Sequence, residues 1–525
     1  MPVADTILYG SVITMDRSRP RASGVALAGD RIVAVGDMEE LHEVAGKETR
    51  VVDFGSACIM PGFHDAHVHL TWHGLELADL DLRPAGSLEE ACELLRDRAA
   101  ATPEDDWLTA AGFALQRWNL ATIDRPEADA LEWAALGRKV LIHSQDHHSA
   151  WASRAALAAA GITGATPTAE GAVVVLARDG EPSGLLLESA VDMVADVVPT
   201  PGRDDLRRAL ERAGDHLAAL GVTTVHHMAA EGPDLWRQLA LTASDDAYPL
   251  RVWACIPHAE IEAAAAIGVA TNQGGRNFRV GGAKFFADGA LGSRTAWMLE
   301  PYAGTTDAGM AMDGPDVLRE RVPLALEAGL TPVVHAIGDA ATRAALDAFE
   351  ATREQWRGLG LRPRLEHAQH MHPADVARAG RLGVVASMQP IHLTFDIASI
   401  DNLLADRKDR AYAIRSLAAA GAVLAFGSDT PVAPPDVFEG LRAACRRSDG
   451  HGRRLNASEA LSPDAALAAY TTGAAYAIQA EGHSGMLKPG FDADIVVLNH
   501  DPLVSLDGLA VVATMKGGAF TFGPG

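Results

Sequence analysis

Cysteine is scarce in this 525-residue chain, and no two of its four cysteines form a CxxC pair. Because Cys58, Cys92, Cys255 and Cys445 lie far apart, the sequence predicts neither a disulfide framework nor a cysteine-based zinc site. Buried thiols in a reducing compartment are expected instead. Lysine is rare as well, with six residues among 45 basic side chains. A lysine within an apolar segment is therefore conspicuous.

The sequence also lacks basic clusters and long apolar runs. Its 69 acidic and 45 basic side chains give a net charge of −24, which argues against a nucleic-acid partner. No stretch approaches the roughly 20 apolar residues of a membrane helix, and the N-terminal segment has no signal-peptide features. We expect a cytoplasmic protein with a small-molecule substrate and neither a nucleic-acid nor a membrane partner. Formation of a homodimer is left open.

Short β-branched runs separated by glycine and aspartate turns occur at both ends of the chain. At the N-terminal end they cover residues 6–15, 24–28 and 31–35, and at the C-terminal end 494–498 and 511–515. Short β segments of this kind do not bury a core separately. They predict one small discontinuous β-sandwich domain, built from residues 1–56 and 482–525.

Between these ends, apolar segments alternate with alanine-rich amphipathic segments. The apolar segments are 57–60, 222–225, 250–254, 279–286, 331–334, 362–365, 383–387 and 423–426. Eight strands that alternate with helices predict a (β/α)8 TIM-type barrel over residues 57–481. An open doubly wound sheet is the alternative, but the glycine-rich dinucleotide motif is absent.

Residues 72–215 form an interval that is too long for one barrel helix. Strand patterns occur at 107–111, 140–143, 173–176 and 185–187, and a helix pattern covers Leu88–Ala101. We therefore expect an insertion subdomain near the barrel mouth.

The segment PGFHDAHVH, residues 61–69, contains the strongest local motif. Side chains alternate along an extended chain, so Asp65, His67 and His69 share one face while His64 and Val68 point the other way. Two neutral imidazoles on one face suit zinc and similar ions. By itself such a pair is as well explained by two ordinary histidines.

Three further metal-competent side chains follow later apolar segments. His335 follows the fifth segment, His367 follows the sixth, and Asp429 follows the eighth. In a parallel barrel the carboxyl ends of the strands form the active-site mouth, so these side chains are expected to meet in space. Their combination predicts a metal site.

Lys284 lies in the fourth apolar segment, beside one alanine and two phenylalanines. Burial as an ammonium ion is costly unless the side chain is neutralised, paired or modified. We favour carboxylation to a carbamate that bridges two metals. A buried ion pair with Asp288 is the alternative.

These motifs resemble the amidohydrolase superfamily over the whole chain, and within it the amidohydrolase family 3 branch that includes N-substituted formamide deformylases. The similar segments are 29–36, 61–69, 485–490 and 493–497, and those that indicate the branch are the strand containing Lys284, 288–289, 293–296 and 148–151. His64 departs from the usually apolar residue at its position.

The resemblance implies that His67 and His69 hold one metal and that His335 and His367 hold the other. It also implies that Lys284 bridges the metals as a carbamate and that Asp429 binds the nucleophilic water. Zinc is the favoured metal, with one or two ions. The candidate substrate contacts are His148, Asp288, Arg294 and Gln389.

The predicted function is that of a metal-dependent amidohydrolase acting on a non-peptide C–N bond, such as an N-substituted amide or formamide. A metal-activated hydroxide would attack the carbonyl, and Asp429 would carry the proton to the leaving amine. The alternatives are a deaminase or a cyclic amide or ester hydrolase at the same site, and a catalytically silent metal-binding regulatory protein.

Overall fold

A computed structural model describes residues 2–113, 118, 120, 122–144, 149–166, 172–187, 189–229, 232–450 and 452–524. The strands of these residues are, in chain order, β1 (Ala4–Ile13), β2 (Arg21–Ala28), β3 (Arg31–Gly36), β4 (Ala45–Pro61), β5 (Phe63–Val68), β6 (Leu80–Asp81), β7 (Trp107–Phe113), β8 (Lys139–Ser144), β9 (Ser149–Ala152), β10 (Val173–Leu176), β11 (Pro182–Leu187), β12 (Val222–His227), β13 (Arg251–Pro257), β14 (Phe278–Phe286), β15 (Pro332–Ala336), β16 (Arg364–His367), β17 (Val385–Met388), β18 (Val423–Phe426), β19 (Ile495–Leu498), β20 (Val511–Lys516) and β21 (Ala519–Phe522).

The α-helices of the same residues are α1 (Met38–His42), α2 (Leu70–Glu76), α3 (Leu88–Ala101), α4 (Arg125–Ala135), α5 (Arg154–Ala159), α6 (Ala190–Ala195), α7 (Arg203–Ala219), α8 (Pro233–Ala243), α9 (Ile261–Ala266), α10 (Pro315–Glu327), α11 (Asp339–Ala351), α12 (Arg353–Gly358), α13 (Pro373–Leu382), α14 (His392–Leu403), α15 (Ile414–Ala420), α16 (Val437–Arg446), α17 (Pro463–Ala469) and α18 (Thr472–Ala477). None of these helices is long and apolar enough to span a bilayer.

Eight parallel strands form a nearly closed barrel sheet, in the order β5, β12, β13, β14, β15, β16, β17 and β18. A parallel bridge between Val68 and Thr430 connects the first strand to the segment after the last one. Strands that follow one another in the chain are also neighbours in the sheet, as βα units require. The predicted (β/α)8 barrel is therefore confirmed.

The first barrel strand lies later in the sequence than predicted. Residues 57–60 are not a barrel strand, because they end β4, where Met60 pairs with Val496 and Cys58 with Leu498. The barrel begins instead at β5, whose six residues are all buried although two are histidines and one is an aspartate. A buried apolar run does not reveal which of two sheets it joins, because its partner strand lies more than 400 residues away.

Glycines end two of the barrel helices just before the next strand begins. Gly383 follows α13 with φ of 75°, and Gly421 follows α15 with φ of 105°. Glycine adopts this left-handed conformation without the steric cost of a Cβ, so each helix stops within a residue. The chain then enters β17 and β18 after short turns.

A second sheet combines strands from both ends of the chain. Its order is β21, β20, β19, β4, β1, β2, β3. Branched and other apolar side chains from both ends form one core in this sheet, with Leu8, Val25 and Ile59 packed with Ile495 and Val497. Neither end contributes enough apolar surface to form that core separately.

The chain divides into two compact units, residues 1–70 with 213–525 and residues 71–212. The smaller unit has its own sheet, in the order β10, β11, β9, β8, β7, β6. Its buried core contains Leu95, Phe113, Trp118 and Trp151.

Candidate metal centre

The contact between the first and last barrel strands brings the histidine motif to Asp429. The backbone N–H of Asp429 donates to the carbonyl of His67 at 2.7 Å, and the N–H of His69 donates to the carbonyl of Thr430 at 2.9 Å. Gly427 permits this approach, because a Cβ at that position would lie 2.4 Å from the His67 nitrogen. The hydrogen bonds that close the barrel thus also assemble the site.

Three side chains at this mouth form a cluster that can hold a metal ion. Ligand atoms of His67, His367 and Asp429 all lie within 4.8 Å of one another, and all three residues are buried. Asp429 Oδ1 lies 3.3 Å from both His67 Nε2 and His69 Nε2. Four of the residues predicted from sequence are therefore neighbours in the structure.

The backbone is left-handed at two of these residues. His367 has φ of 68° and Asp429 has φ of 65°, values that residues with a Cβ seldom adopt. Backbone strain of this kind concentrates at functional sites, where the surrounding structure imposes it. Here the left-handed backbone occurs at the last residue of β16 and in the segment after β18, at two of the residues whose side chains form the cluster.

The Asp429 carboxyl group is held in its ionised form. Burial by itself would raise its pKa, but His67 and His69 lower the pKa of Asp429 well below its ordinary value. The carboxylate is therefore available as a ligand for a cation.

A buried ion pair lies behind the cluster. His67 Nδ1 is 2.7 Å from Glu366 Oε2, and Arg364 Nε donates to Glu366 Oε1 at 2.8 Å. Burial opposes ionisation of Glu366, but Arg364 and the hydrogen bond with His67 lower its pKa to about 2. An ionised Glu366 accepts the proton of His67 Nδ1, which leaves Nε2 free to bind a cation.

Arg364 is held in turn by groups from several barrel strands. Its guanidinium donates to the carbonyl of Ala66 at 2.8 Å and to the Ser387 hydroxyl at 3.0 Å. It also lies 3.0 Å from His226 Nδ1 and faces the Trp253 ring at 5.1 Å. These contacts hold the Arg364 guanidinium in place, and no part of the Arg364 side chain is exposed.

Lys284 lies in β14 and is 1% exposed. Its Nζ has no hydrogen-bond partner among the described residues and lies 4.7 Å from the centre of the Phe286 ring. Burial lowers the pKa of Lys284 below its ordinary value, although Glu366 and Asp429 act in the opposite direction. A direct ion pair between Lys284 and Asp288 does not form in the structure, because the Asp288 carboxylate is used elsewhere.

Asp288 accepts three backbone N–H groups, from Trp297 at 2.9 Å, Ile337 at 3.0 Å and Gly338 at 2.8 Å. Burial nevertheless raises the pKa of Asp288 to about 7. These bonds give Asp288 a structural task, since they tie the segment after β14 to the turn after β15.

His335 is adjacent to the cluster but directs Nε2 elsewhere. Its ring centre lies 4.4 Å from that of His367, while its Nε2 lies 3.1 Å from the carbonyl of Gly289 and 3.5 Å from Asp288 Oδ1. In this arrangement His335 is not one of the residues whose ligand atoms converge, which are His67, His367 and Asp429.

The remaining predicted substrate contacts differ in placement. Gln389 directly follows β17 and is buried, whereas Arg294 is exposed. His148 lies outside the described residues.

Sequence reasoning missed His392, the first residue of α14, whose Nε2 lies 3.7 Å from Asp429 Oδ2. Its position three residues after Gln389, just past a barrel strand, is the only sequence signal that could have identified it.

The donor set fits a divalent cation. Neutral imidazoles and a carboxylate are ligands that zinc and related ions prefer, and burial excludes competing water. The buried amine of Lys284 adds a group that carboxylation would convert into an oxygen ligand.

The chain is similar to known proteins over almost its whole length. The amidohydrolase family model matches residues 50–522. Protein LONG AFTER FAR-RED 3 of Arabidopsis thaliana is 30% identical over 98% of this chain and 91% of the relative. The N-substituted formamide deformylase of Arthrobacter pascens is 25% identical over 95% of this chain and 93% of the relative.

Among solved structures, an uncharacterized metal-dependent hydrolase from Pyrococcus horikoshii OT3 superposes with a TM-score of 0.80 at 27% identity. The match covers 96% of this chain and 99% of that chain. The resemblance inferred from the sequence motifs is thus confirmed. The chain belongs to the amidohydrolase family and has the fold of a metal-dependent hydrolase.

Proposed function

We propose that the protein hydrolyses a non-peptide C–N bond in an N-substituted amide or formamide. The observation that carries this proposal is the ionised, buried Asp429 carboxylate, which lies beside His67 and His367 at the barrel mouth. The full-length similarity to an N-substituted formamide deformylase supports the choice of substrate class.

The proposed chemistry assigns separate tasks to the chain's residues. A divalent cation, with zinc as the favoured ion, supplies Lewis acidity and lowers the pKa of water. Asp429 accepts the proton of the attacking water and delivers it to the amine nitrogen, which is a poor leaving group until it is protonated. Glu366 keeps the proton of His67 on Nδ1, so the ring presents Nε2 to the cation.

The same proposal makes Lys284 a carbamate. Its neutral amine attacks carbon dioxide, a nitrogen–carbon bond forms, and one proton is released, leaving an anionic oxygen ligand. The depressed pKa of Lys284, which burial causes, favours the neutral amine that this reaction needs.

An activity screen with the metal-reconstituted protein tests the proposed function. The substrates are N-formyl amines, N-acyl amines, cyclic amides and amino-heterocycles, with release of amine or ammonia as the readout. Release of amine from the acyclic amides is expected. Exclusive release of ammonia from amino-heterocycles would assign a deaminase, and cleavage of cyclic substrates alone would assign a cyclic amidase.

We expect the purified protein to contain at least one equivalent of divalent metal, measured by elemental analysis for zinc, iron, nickel and manganese. The reason is that a buried carboxylate beside converging imidazoles is stable only if its charge is compensated. A content well below one equivalent, unchanged by reconstitution, would remove the metal-site assignment.

Lys284→Ala is expected to lower metal content, with partial rescue by short carboxylates such as acetate or propionate. The substitution removes the buried amine and leaves space in which a free carboxylate can replace the carbamate oxygens. Lys408→Ala is the matched control, because Lys408 is exposed and pairs with Asp401 at 3.0 Å. Full metal content and activity in Lys284→Ala would contradict the carbamate.

A further inference from the structure

Three buried polar side chains beside the cluster have hydrogen-bonding atoms without a partner. Gln369 is 3% exposed, Gln389 is 1% exposed and His392 is 9% exposed. Neither amide atom of Gln389 has a partner among the described residues, and the same holds for Gln369 Oε1 and His392 Nε2. We call these three residues the amide–imidazole group.

The amide–imidazole group adjoins the metal-ligand cluster. Gln369 lies two residues after His367, and the backbone N–H of His392 donates to the carbonyl of Gln389 at 3.1 Å. His392 Nε2 lies 3.7 Å from Asp429 Oδ2, which is beyond hydrogen-bond distance. The rings of His392 and His367 are nearly parallel, with centres 6.3 Å apart. A molecule bound at the cluster is therefore within reach of His392, to which Gln369 and Gln389 are both hydrogen-bonded.

The hydrogen bond within the group defines what it presents to a ligand. Gln369 Nε2 donates to His392 Nδ1 at 3.4 Å, so the neutral imidazole has its proton on Nε2. His392 then offers one N–H donor, and Gln369 Oε1 offers an acceptor. Gln389 offers both an N–H donor and a carbonyl acceptor. The group as a whole is complementary to a ligand that has a carbonyl and an N–H.

Such an arrangement is costly in the absence of a ligand. A buried amide without a hydrogen-bond partner has lost its hydrogen bonds with water and forms none with the protein. Most buried side-chain polar atoms in proteins have partners, so the unmatched atoms of these three linked residues call for an explanation such as ligand recognition.

No hydrogen bond or ion pair of the described residues brings a lysine or arginine to the amide–imidazole group. Asp396 lies one helical turn after His392 on α14, and its carboxyl group accepts the Tyr412 hydroxyl at 2.6 Å. A substrate carboxylate has no N–H to donate to the glutamine carbonyl oxygens and meets no cationic side chain in the group. It is therefore bound less well than a carboxamide.

We propose that Gln369, Gln389 and His392 form a subsite for an uncharged carbonyl- and N–H-bearing group of the substrate, such as a carboxamide. The inference rests on the proposed amide hydrolysis and specifies its substrate class. The subsite selects neutral polar substituents over carboxylates and over apolar groups of equal size.

Three compounds of matched size and shape test the subsite with the metal-loaded protein. N-formylglycinamide has the carboxamide, and N-formylglycine has a carboxylate in its place. N-isobutylformamide has two methyl groups at the positions of the carboxamide oxygen and nitrogen. We expect kcat/KM for N-formylglycinamide to exceed that of each of the other two by about tenfold or more, since two or three hydrogen bonds separate them.

Gln369→Met and Gln389→Met keep the side-chain length and remove the amides. The measured quantity is kcat/KM for N-formylglycinamide divided by kcat/KM for N-isobutylformamide. Each variant is expected to lower this ratio by at least about fivefold, because one or more hydrogen bonds to the carboxamide are lost. The matched control is Gln355→Met on α12, where the Gln355 amide donates to the carbonyl of Pro323. It is expected to leave the ratio unchanged. Thermal unfolding shows whether each variant is folded, and either glutamine variant suffices.

Two results would overturn the subsite. One is a wild-type protein that uses N-isobutylformamide or N-formylglycine as well as N-formylglycinamide. The other is an unchanged ratio in the folded glutamine variants. If none of the three compounds is hydrolysed, the result counts against the proposed hydrolysis of formamides and not against the subsite. Calorimetric titration of the same compounds into the wild-type protein then decides the subsite separately, because tighter binding of N-formylglycinamide supports it and equal or weaker binding refutes it.

Discussion

Replacing Asp429 with asparagine is expected to lower kcat by roughly 10²–10⁴-fold, the usual contribution of a positioned proton-transfer group. Asparagine has nearly the same shape and keeps one carbonyl oxygen, so contacts with His67 and His69 at 3.3 Å are retained in part. It cannot accept the proton of the attacking water. The loss therefore appears in turnover, whereas metal content, measured on the same sample, is expected to stay close to that of the wild type.

Asp436→Asn is a suitable control for this experiment. Asp436 lies seven residues later and caps α16 by accepting from Phe438 and Glu439, a task that asparagine also performs well. Loss of metal in Asp429→Asn would mean that the aspartate acts mainly as a ligand. Retention of full kcat would exclude it from proton transfer.

Glu366→Gln is expected to weaken metal binding by about 10–100-fold, as removal of a partner that orients a ligating histidine usually does. The neutral amide cannot hold the proton on His67 Nδ1 as the carboxylate does at 2.7 Å. The variant also leaves Arg364 buried without its counter-charge, which is expected to reduce the free energy of unfolding by about 3–5 kcal/mol. Competition with a chelator measures the first effect, and denaturant unfolding of metal-free protein measures the second.

Asp494→Asn separates these two effects. Asp494 forms a buried pair with Arg251, with distances of 2.6 and 3.0 Å, and its carboxylate also accepts the backbone N–H of Gly517. Among the described residues, none of these partners belongs to the metal-ligand cluster. Both variants are expected to lose stability, and only Glu366→Gln is expected to lose metal affinity. Equal metal affinity in Glu366→Gln and wild type would contradict the positioning role of Glu366.

Much of the barrel was predictable because its strands are locally encoded. The apolar segments at 222–225 and 423–426 become β12 and β18 with the same starting residue in each case. A parallel strand buried on both faces must be apolar throughout, so its composition identifies it. Where polar side chains enter the barrel, as in β5, this signal fails, and the sequence instead predicts the first barrel strand at 57–60.

The candidate ligands were also visible in the sequence, for a different reason. A histidine or aspartate just after an apolar run is exceptional, and His367 and Asp429 stand at such positions, whereas His67 is marked by the histidine pair in residues 61–69. Topology then requires the strand ends to share one mouth. The structure places their ligand atoms within 4.8 Å.

The supporting residues were not visible in this way. Glu366 and Arg364 look like ordinary strand residues in the sequence, nothing marks Gln369 as a neighbour of a site, and the only signal for His392 is its position just past a barrel strand. Their roles depend on contacts across large sequence separations, such as the 299 residues between His67 and Glu366.

The sequence by itself determined the alternation of strands and helices, the set of candidate ligands and the family, because all three are written in local composition and motif spacing. Only the tertiary structure decided which strand is the first of the barrel. It also decided that His335 directs its Nε2 away from the cluster. It alone also revealed the buried Arg364–Glu366 pair behind His67. These features depend on which distant segments pack together, and packing energy is shared among residues that the sequence keeps hundreds of positions apart.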